Sequence, residues 1–385
     1  MPFDSSAFVA AELPSRMRRA AAPLQFFLLG MVIATWAARI PALRDALQLS
    51  AAQLGVVLLS GGVGAVLSFP LAAGLIARAG ARRATLYSGL GLLLALPAVA
   101  AAPDMPLLMA AMVAFGAAAS CFDVAINAAA AEAERVAGRS IMSLLHAWFC
   151  LGTFGGALSG GAVAGAGIAP LAHYGATALL LALPLALAFR ALPCDRPDAT
   201  AGKKRFAVPH GPLIALGVIG FCGAVAEGSI TDWSGIYMKD QLRVSDGVAP
   251  LAFAAFSAMM FGMRLVADRL KDRFGARRIV AAGAALAALA IFGAAAAIDV
   301  ASTIACFAAA GAGLAAVFPF VFSAAGRHGA TALAGVATMG YSGGLIGPPV
   351  IGFIAHGFGL QAALAFVGLL SAAIAAAALK SSWLE

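Results

Sequence analysis

Seven ionisable side chains fall inside long apolar stretches of this sequence: Arg39, Asp123, His146, Glu227, Asp232, Arg264 and Asp268. A charge at the centre of a spanning helix costs at least ~2.5 kcal/mol, so each needs a partner or a task. Asp123 lies three and four residues from Ser120 and Asn127, which puts all three on one helical face. Ser143, His146, Cys150 and Thr153 share a face of the next stretch. A carboxylate facing an imidazole at one depth can take up and release a proton, because lost hydration penalises the charged acid and a cationic neighbour favours it. A static polar pair joining the two helices is the plainer alternative.

Glu227 lies near the middle of its stretch, with Asp232 and Trp233 towards one end. Trp36 and Arg39 close the first apolar stretch at a similar depth. Arg39 with Asp232 or Glu227 is therefore the expected outer gate, against the alternative that these charges are merely solvated. Arg264 and Asp268 stand four apart, the spacing of an ion pair within one helix, beside the basic turn at 269–278. They are expected to join Arg82, Arg83, Asp272, Arg273 and Arg277 in a cytoplasmic charge network. Trp36, Trp148, Trp233 and Tyr341 are candidates to floor a pocket, although aromatic residues in membrane helices more often anchor interfaces or fill space.

What must position these groups follows from composition. Of 385 residues, 62% are hydrophobic and only 11% charged, with a mean hydropathy of +0.96. Soluble cores stop growing near ~250–300 residues, so this much apolar surface needs a bilayer. About 20 apolar residues span a membrane. Twelve stretches qualify: 20–38, 52–77, 84–102, 107–130, 141–166, 170–189, 213–237, 249–268, 279–298, 301–324, 333–354 and 360–379. With the N-terminus inside, 20 of the 25 Lys and Arg fall on the cytoplasmic side, four outside and one, Arg264, within a span. That bias puts both termini in the cytoplasm. The net charge of +8 is thus a topology signal, and no nucleic-acid partner is expected. The five cysteines have no metal-ligand spacing, and they read as thiols without disulfides or a metal site. Gly347-Pro348-Pro349 is expected to bend or break the eleventh helix.

The Pro- and charge-rich stretch 190–212 divides a tail (1–19) and first bundle (20–189) from a second bundle (213–379) and tail (380–385). The two bundles repeat. Arg78-Ala79-Gly80-Ala81-Arg82-Arg83 and Arg273-Phe274-Gly275-Ala276-Arg277-Arg278 share R-x-G-A-R-R at corresponding turns. Gly152/Gly155/Gly156 and Gly340/Gly343/Gly344 share G-x-x-G-G in the fifth and eleventh stretches. Parallel repeats of this kind place a substrate site near the midplane between the bundles.

Two six-helix halves with these basic turns resemble the major facilitator superfamily over essentially the whole chain. Its turn motif runs approximately G-x-L-x-D-R-x-G-R-R/K. The second copy keeps the acid as Asp272, whereas the first has Ala77 there, so the latch that the family builds on that acid is not expected at position 77. The segments 34–47, 143–152 and 227–240 are similar to the branch holding fucose-permease-like and rhizopine-type transporters. The resemblance implies an all-α membrane protein of twelve helices in two six-helix bundles in a bacterial inner membrane, a monomeric transporter rather than an enzyme, with no bound cofactor. The expected activity is alternating-access transport of a small polar solute, of sugar, polyol or amino-sugar type, by proton symport. Proton-coupled export and a non-transporting sensor are the alternatives. The sequence has no P-loop to bind ATP and no H-E-x-x-H zinc site.

Overall fold

The computed structural model describes residues 15–137, 142–192, 211, 213–381 and 384. Cys194 and most of the expected linker lie outside them. Fifteen helices are present among the described residues. In chain order these are α1 (Ser15–Ala37), α2 (Ile40–Ala46), α3 (Ala51–Leu67), α4 (Phe69–Ala79), α5 (Ala81–Ala100), α6 (Met105–Ala137), α7 (Met142–Gly165) and α8 (Pro170–Ala191). They continue with α9 (Leu213–Leu242), α10 (Leu251–Phe274), α11 (Ala276–Ala296), α12 (Val300–Leu314), α13 (Val317–Arg327), α14 (Ala330–Phe358) and α15 (Leu360–Lys380).

Eleven stretches of the described chain are long and apolar enough to cross a membrane. The remaining expected span, 333–354, falls inside α14, a 29-residue helix whose sequence has no Asp, Glu, Lys or Arg. The chain is thus a multi-pass membrane protein. Two expected spans are interrupted. The second breaks at Ser68, just before Pro70, into α3 and α4, and the tenth breaks at Ala315–Ala316, just before Pro319, into α12 and α13. Each proline lacks the N–H that would continue the ladder. By contrast α14 runs through Pro348 and Pro349, so the expected break there does not occur. Membrane helices tolerate proline where neighbours compensate the freed groups.

The described chain forms two compact units. The first draws on Met1–Ile33, Ser60–Thr153 and Ala169–Lys203, and the second on Ala34–Leu59, Phe154–Ile168 and Lys204–Glu385. In the first unit, Gly30 and Gly152 let α1 and α7 touch: a Cβ on Gly152 would stand 2.2 Å from the Phe27 carbonyl oxygen. In the second unit, α14 packs on α9 in the same way, and a Cβ on Gly343 would stand 2.4 Å from the Phe221 carbonyl oxygen. The glycine repeat therefore performs one packing task in each half. The turn repeat matches as well. Gly80 and Gly275 adopt nearly the same conformation, φ 80°, ψ 159° and φ 83°, ψ 147°, in the region open to glycine.

Candidate translocation site

Asp123 and Asn127 are half-buried on α6. The Asn127 amide donates to the Asp123 carboxylate at 3.0 Å and to its carbonyl oxygen at 2.9 Å. Among the described residues, Asn127 is the hydrogen-bond partner of Asp123. The expected facing pair with His146 is not formed. The His146 ring instead meets Phe26 edge-on, with centroids 5.3 Å apart. An amide one turn away on the same helix reaches the carboxylate without any interhelical constraint. Among the described residues, the result is a carboxylate held by a neutral donor and without an ion-pair partner.

In the second unit, Glu227 projects from a less-buried stripe of α9 that also carries Gly228, Thr231 and Asp232. One Glu227 carboxylate oxygen is buried and has no hydrogen-bond partner among the described residues. Arg264 shares the packed face of α10 with Ser257, Met260 and Ala267. Its Nε donates to the Ala315 carbonyl oxygen at 3.4 Å. That carbonyl would ordinarily accept from the residue four positions on, which is Pro319 and has no N–H. The broken tenth span thus supplies the acceptor that positions Arg264. The expected Arg264–Asp268 pair is absent, because Asp268 lies exposed while Arg264 is half-buried and turned into the helix packing.

The candidate aromatic residues differ in environment. Trp36 and Trp233 are buried, whereas Trp148 and Tyr341 are exposed, and Trp148 meets Phe27 edge-on. The pentad Gly340-Tyr341-Ser342-Gly343-Gly344 has the letters of a G-x-S-x-G hydrolase elbow. It lies within the continuous α14, and Ser342 Oγ donates to the Met339 carbonyl oxygen at 2.7 Å. The strand–turn–helix setting of that motif is missing.

At the ends of the helices remote from the 190–212 segment, a charge cluster replaces the expected gate. Arg39 is buried and donates to the Ile168 carbonyl oxygen at 2.6 Å. It is Arg44, on α2, that pairs with an acid of α9: its two terminal nitrogens meet Asp240 at 2.5 and 2.8 Å. Arg44 also meets Asp45 at 2.9 Å. Lys239 meets Asp45 at 2.7 Å and Asp246 at 2.5 Å. Asp232 is not Arg39's partner, because it lies eight residues, roughly 12 Å, deeper along α9 than Asp240. A cavity of about 580 Å³ adjoins the cluster, lined in part by Arg44, Asp45, Gln48, Gln53 and Asp240. Backbones approach closely beside it. A Cβ on Gly352 of α14 would stand 2.9 Å from Gly55 Cα of α3, and a Cβ on Gly247 would stand 2.9 Å from Gly165 Cα of α7.

At the opposite ends, the arginines serve helix termini. Arg82 Nε donates to the Phe189 carbonyl oxygen at 3.0 Å, and the guanidinium covers the Phe189 ring at 4.7 Å. Arg277, its counterpart 195 residues on, donates to the Leu379 carbonyl oxygen. Each motif arginine thereby caps the last helix of its own half, α8 or α15, where final carbonyls lack intrahelical donors. Among the described residues, neither Asp268 nor Asp272 forms an ion pair, so the expected acid–base network is not seen. Asp268, Asp272, Arg83 and Arg273 are exposed, and exposed pairs gain little. Arg273 instead lies over the Phe274 ring at 5.1 Å.

A family model described as Major Facilitator Superfamily matches residues 22–328 and 216–384. The chain belongs to the major facilitator superfamily. Among curated members it is 34% identical to membrane protein MosC of Rhizobium meliloti over 90% of this chain and 86% of that one. It is 32% identical to an uncharacterised MFS-type transporter of Yersinia pestis over 95% and 96% of the two chains. Among solved structures, a mutant of the nucleoside transporter NupG matches with a TM-score of 0.76, at 13% identity, over 95% of this chain and 99% of that one. A bacterial homologue of the lysosomal transporter Spinster, in an inward-facing and occupied conformation, also reaches 0.76, at 15% identity, over 97% and 98%. These low identities establish the fold shared with the superfamily. The protein is accordingly a transporter rather than an enzyme.

Within a superfamily member, the residues overlooked by spacing alone are Arg44, Asp45, Lys239, Asp240 and Asp246. They stand at span ends, where solvation is the default reading. Their one signal is reciprocity: basic Arg44 and acidic Asp240 stand just beyond the first expected span of each half. Gln25 also escapes a search restricted to charges, yet it is buried at 1% exposure with neither amide atom bonded among the described residues.

Proposed function

We propose that the protein imports a small polar solute of sugar, polyol or amino-sugar type by proton symport across a bacterial inner membrane, with both termini in the cytoplasm. The orientation rests on the distribution of Lys and Arg. The observation that carries the coupling is the Asp123–Asn127 pair: a half-buried carboxylate with a neutral hydrogen-bond donor can exchange a proton as access alternates. The Arg44–Asp240 cluster and the close contacts at Gly55/Gly352 serve as the outer gate, which must separate for solute to enter from outside. Polar groups without multiple deep cations suit a neutral solute better than a phosphorylated one.

The test is a thermal-shift screen of neutral polyols, hexoses and amino sugars on purified protein. Stabilising solutes are then offered to proteoliposomes with and without an inwardly directed proton gradient. The reading expects a stabilising solute to accumulate only with the gradient. Accumulation driven by the opposite gradient would mean export, and gradient-independent equilibration would mean uncoupled transport.

A further inference from the structure

We infer that the cavity beside the Arg44–Asp240 cluster is a regulatory site for a small hydroxylated amine, and that its occupant holds the outer gate shut. This role rests on the gate proposed above. The cavity measures about 580 Å³ and is lined in part by Arg44, Asp45, Gln48, Gln53, Asp240 and Gln241. Its walls come from α2, the start of α3, the last turns of α9 and the junction of α14 with α15 at Gly359.

Spare hydrogen-bonding capacity selects the ligand. Arg44 is nearly spent: Nε and one terminal nitrogen meet Asp45 at 3.2 and 2.9 Å, and both terminal nitrogens meet Asp240 at 2.5 and 2.8 Å. A guanidinium carries about five N–H groups, so little donor capacity remains. The carboxylates keep more. Each offers about four acceptor positions, and among the described residues Asp240 receives only the two Arg44 bonds. Two acids against one base also leave the lining negative. An ammonium group is a cation that only donates, so it matches what is left. A ligand carboxylate would meet no unpaired cation, because both acids already grip Arg44. The amides serve hydroxyls. The Gln53 amide oxygen accepts from the Ser50 N–H at 2.9 Å, and Gln48 Nε2 donates to the Asp45 carbonyl oxygen at 2.7 Å. That leaves the Gln53 NH2 group and the Gln48 amide oxygen facing groups that can both donate and accept.

The walls belong to elements that the gate must part. Arg44-Asp45 and Lys239-Asp240 stand 195 residues apart, the offset of the R-x-G-A-R-R repeat. Their pairs cross: Arg44 meets Asp240, and Lys239 meets Asp45. Each base therefore holds the acid of the other repeat. The walls from α3 and α14 belong to helices that touch at Gly55 and Gly352. A ligand that spans all these walls binds the closed arrangement and must favour it. At ten times its Kd, the closed-to-open ratio should rise about elevenfold.

Calorimetric titration of the purified full-length protein with glucosamine, glucose and gluconate tests the site, at a pH where the amine is protonated. The three probes share a six-carbon hydroxylated frame and differ in charge. Glucosamine should bind roughly tenfold or more tightly than gluconate, with glucose between them. Gln241 is exposed and lines the cavity. Gln241→Lys adds a cation there and should weaken glucosamine about threefold, whereas Gln241→Glu should tighten it by a similar factor. Misfolding would not produce opposite changes at one exposed position. Glucosamine at ten times its Kd should also slow maleimide modification of Thr231→Cys, in a background without native cysteines, about tenfold. The same concentration should slow it less in Gln241→Lys. No binding of glucosamine, equally tight binding of gluconate, equal affinity in the two Gln241 variants, or an unslowed Thr231→Cys overturns the site. If Arg44→Ala speeds the modification of Thr231→Cys while glucosamine leaves it unslowed, the gate stands and the site alone fails. If Arg44→Ala has no effect, the gate reading itself fails and takes the regulatory role with it.

Discussion

Disconnecting Arg44 from Asp240 should open the outer end of the molecule. The guanidinium grips both carboxylate oxygens, at 2.5 and 2.8 Å, and the two side chains are 15% and 34% exposed. A charge-assisted hydrogen bond is worth about 1.5–3 kcal/mol when shielded, whereas a fully exposed pair is worth 0.2–1 kcal/mol. With one partner a third exposed, the coupling should fall near ~1–2 kcal/mol. At 1.4 kcal/mol per tenfold, that is roughly a five- to thirty-fold change in the ratio of closed to open states. The gate should weaken rather than vanish, because Lys239 still holds Asp45 and Asp246. The assay is modification of Thr231→Cys by an impermeant maleimide, in a background whose native cysteines are replaced. Thr231 lies on the less-buried stripe of α9, between Glu227 and the cluster. Arg44→Ala and Asp240→Asn should each raise the modification rate about five- to thirty-fold. The double variant should exceed the larger single effect by little. Two fully additive effects would show that the residues act separately, and unchanged rates would refute the gate.

Gly352→Val should act at the same end by a different cause: its side chain would collide with Gly55 and Ala51 backbone at 2.8–2.9 Å, so outer accessibility should rise and uptake should fall, measured with the same cysteine reporter and in proteoliposomes. Arg82→Ala removes a cap from α8 and an aromatic contact, and should cost about 1 kcal/mol in reversible unfolding, whereas exposed Arg83→Ala should cost less than half of that. Cys194 should resist impermeant thiol reagents applied to intact cells, and labelling from outside would reverse the proposed orientation.

The sequence makes the spans legible because a bilayer imposes one strong rule, about 20 apolar residues per crossing. The repeats were equally readable: R-x-G-A-R-R and G-x-x-G-G reappear as matched turns at Gly80 and Gly275 and matched helix contacts at Gly152 and Gly343. Partnerships were harder. Spacing of four favours Arg264–Asp268, yet Asp268 is exposed, whereas Arg264 is half-buried and donates to the Ala315 carbonyl oxygen. Depth along a helix suggests Arg39–Asp232, yet the chain turns after Ala37 and a further helix, α2, carries Arg44 to Asp240 instead. The prolines were visible but ambiguous. Pro319 accompanies a break, whereas Pro348 and Pro349 do not. Which outcome follows depends on neighbouring helices, and local sequence does not encode those neighbours.

The central claim is that protonation of Asp123 couples transport to the proton gradient. Asp123→Asn keeps the size of the side chain and its capacity to bond Asn127, but it removes the titrating proton. Wild-type and variant proteoliposomes should be compared for solute exchange at equal pH and for accumulation under an imposed pH gradient. The account predicts that the variant exchanges solute and fails to accumulate it, while the wild type does both. Accumulation by Asp123→Asn at the wild-type level would contradict it.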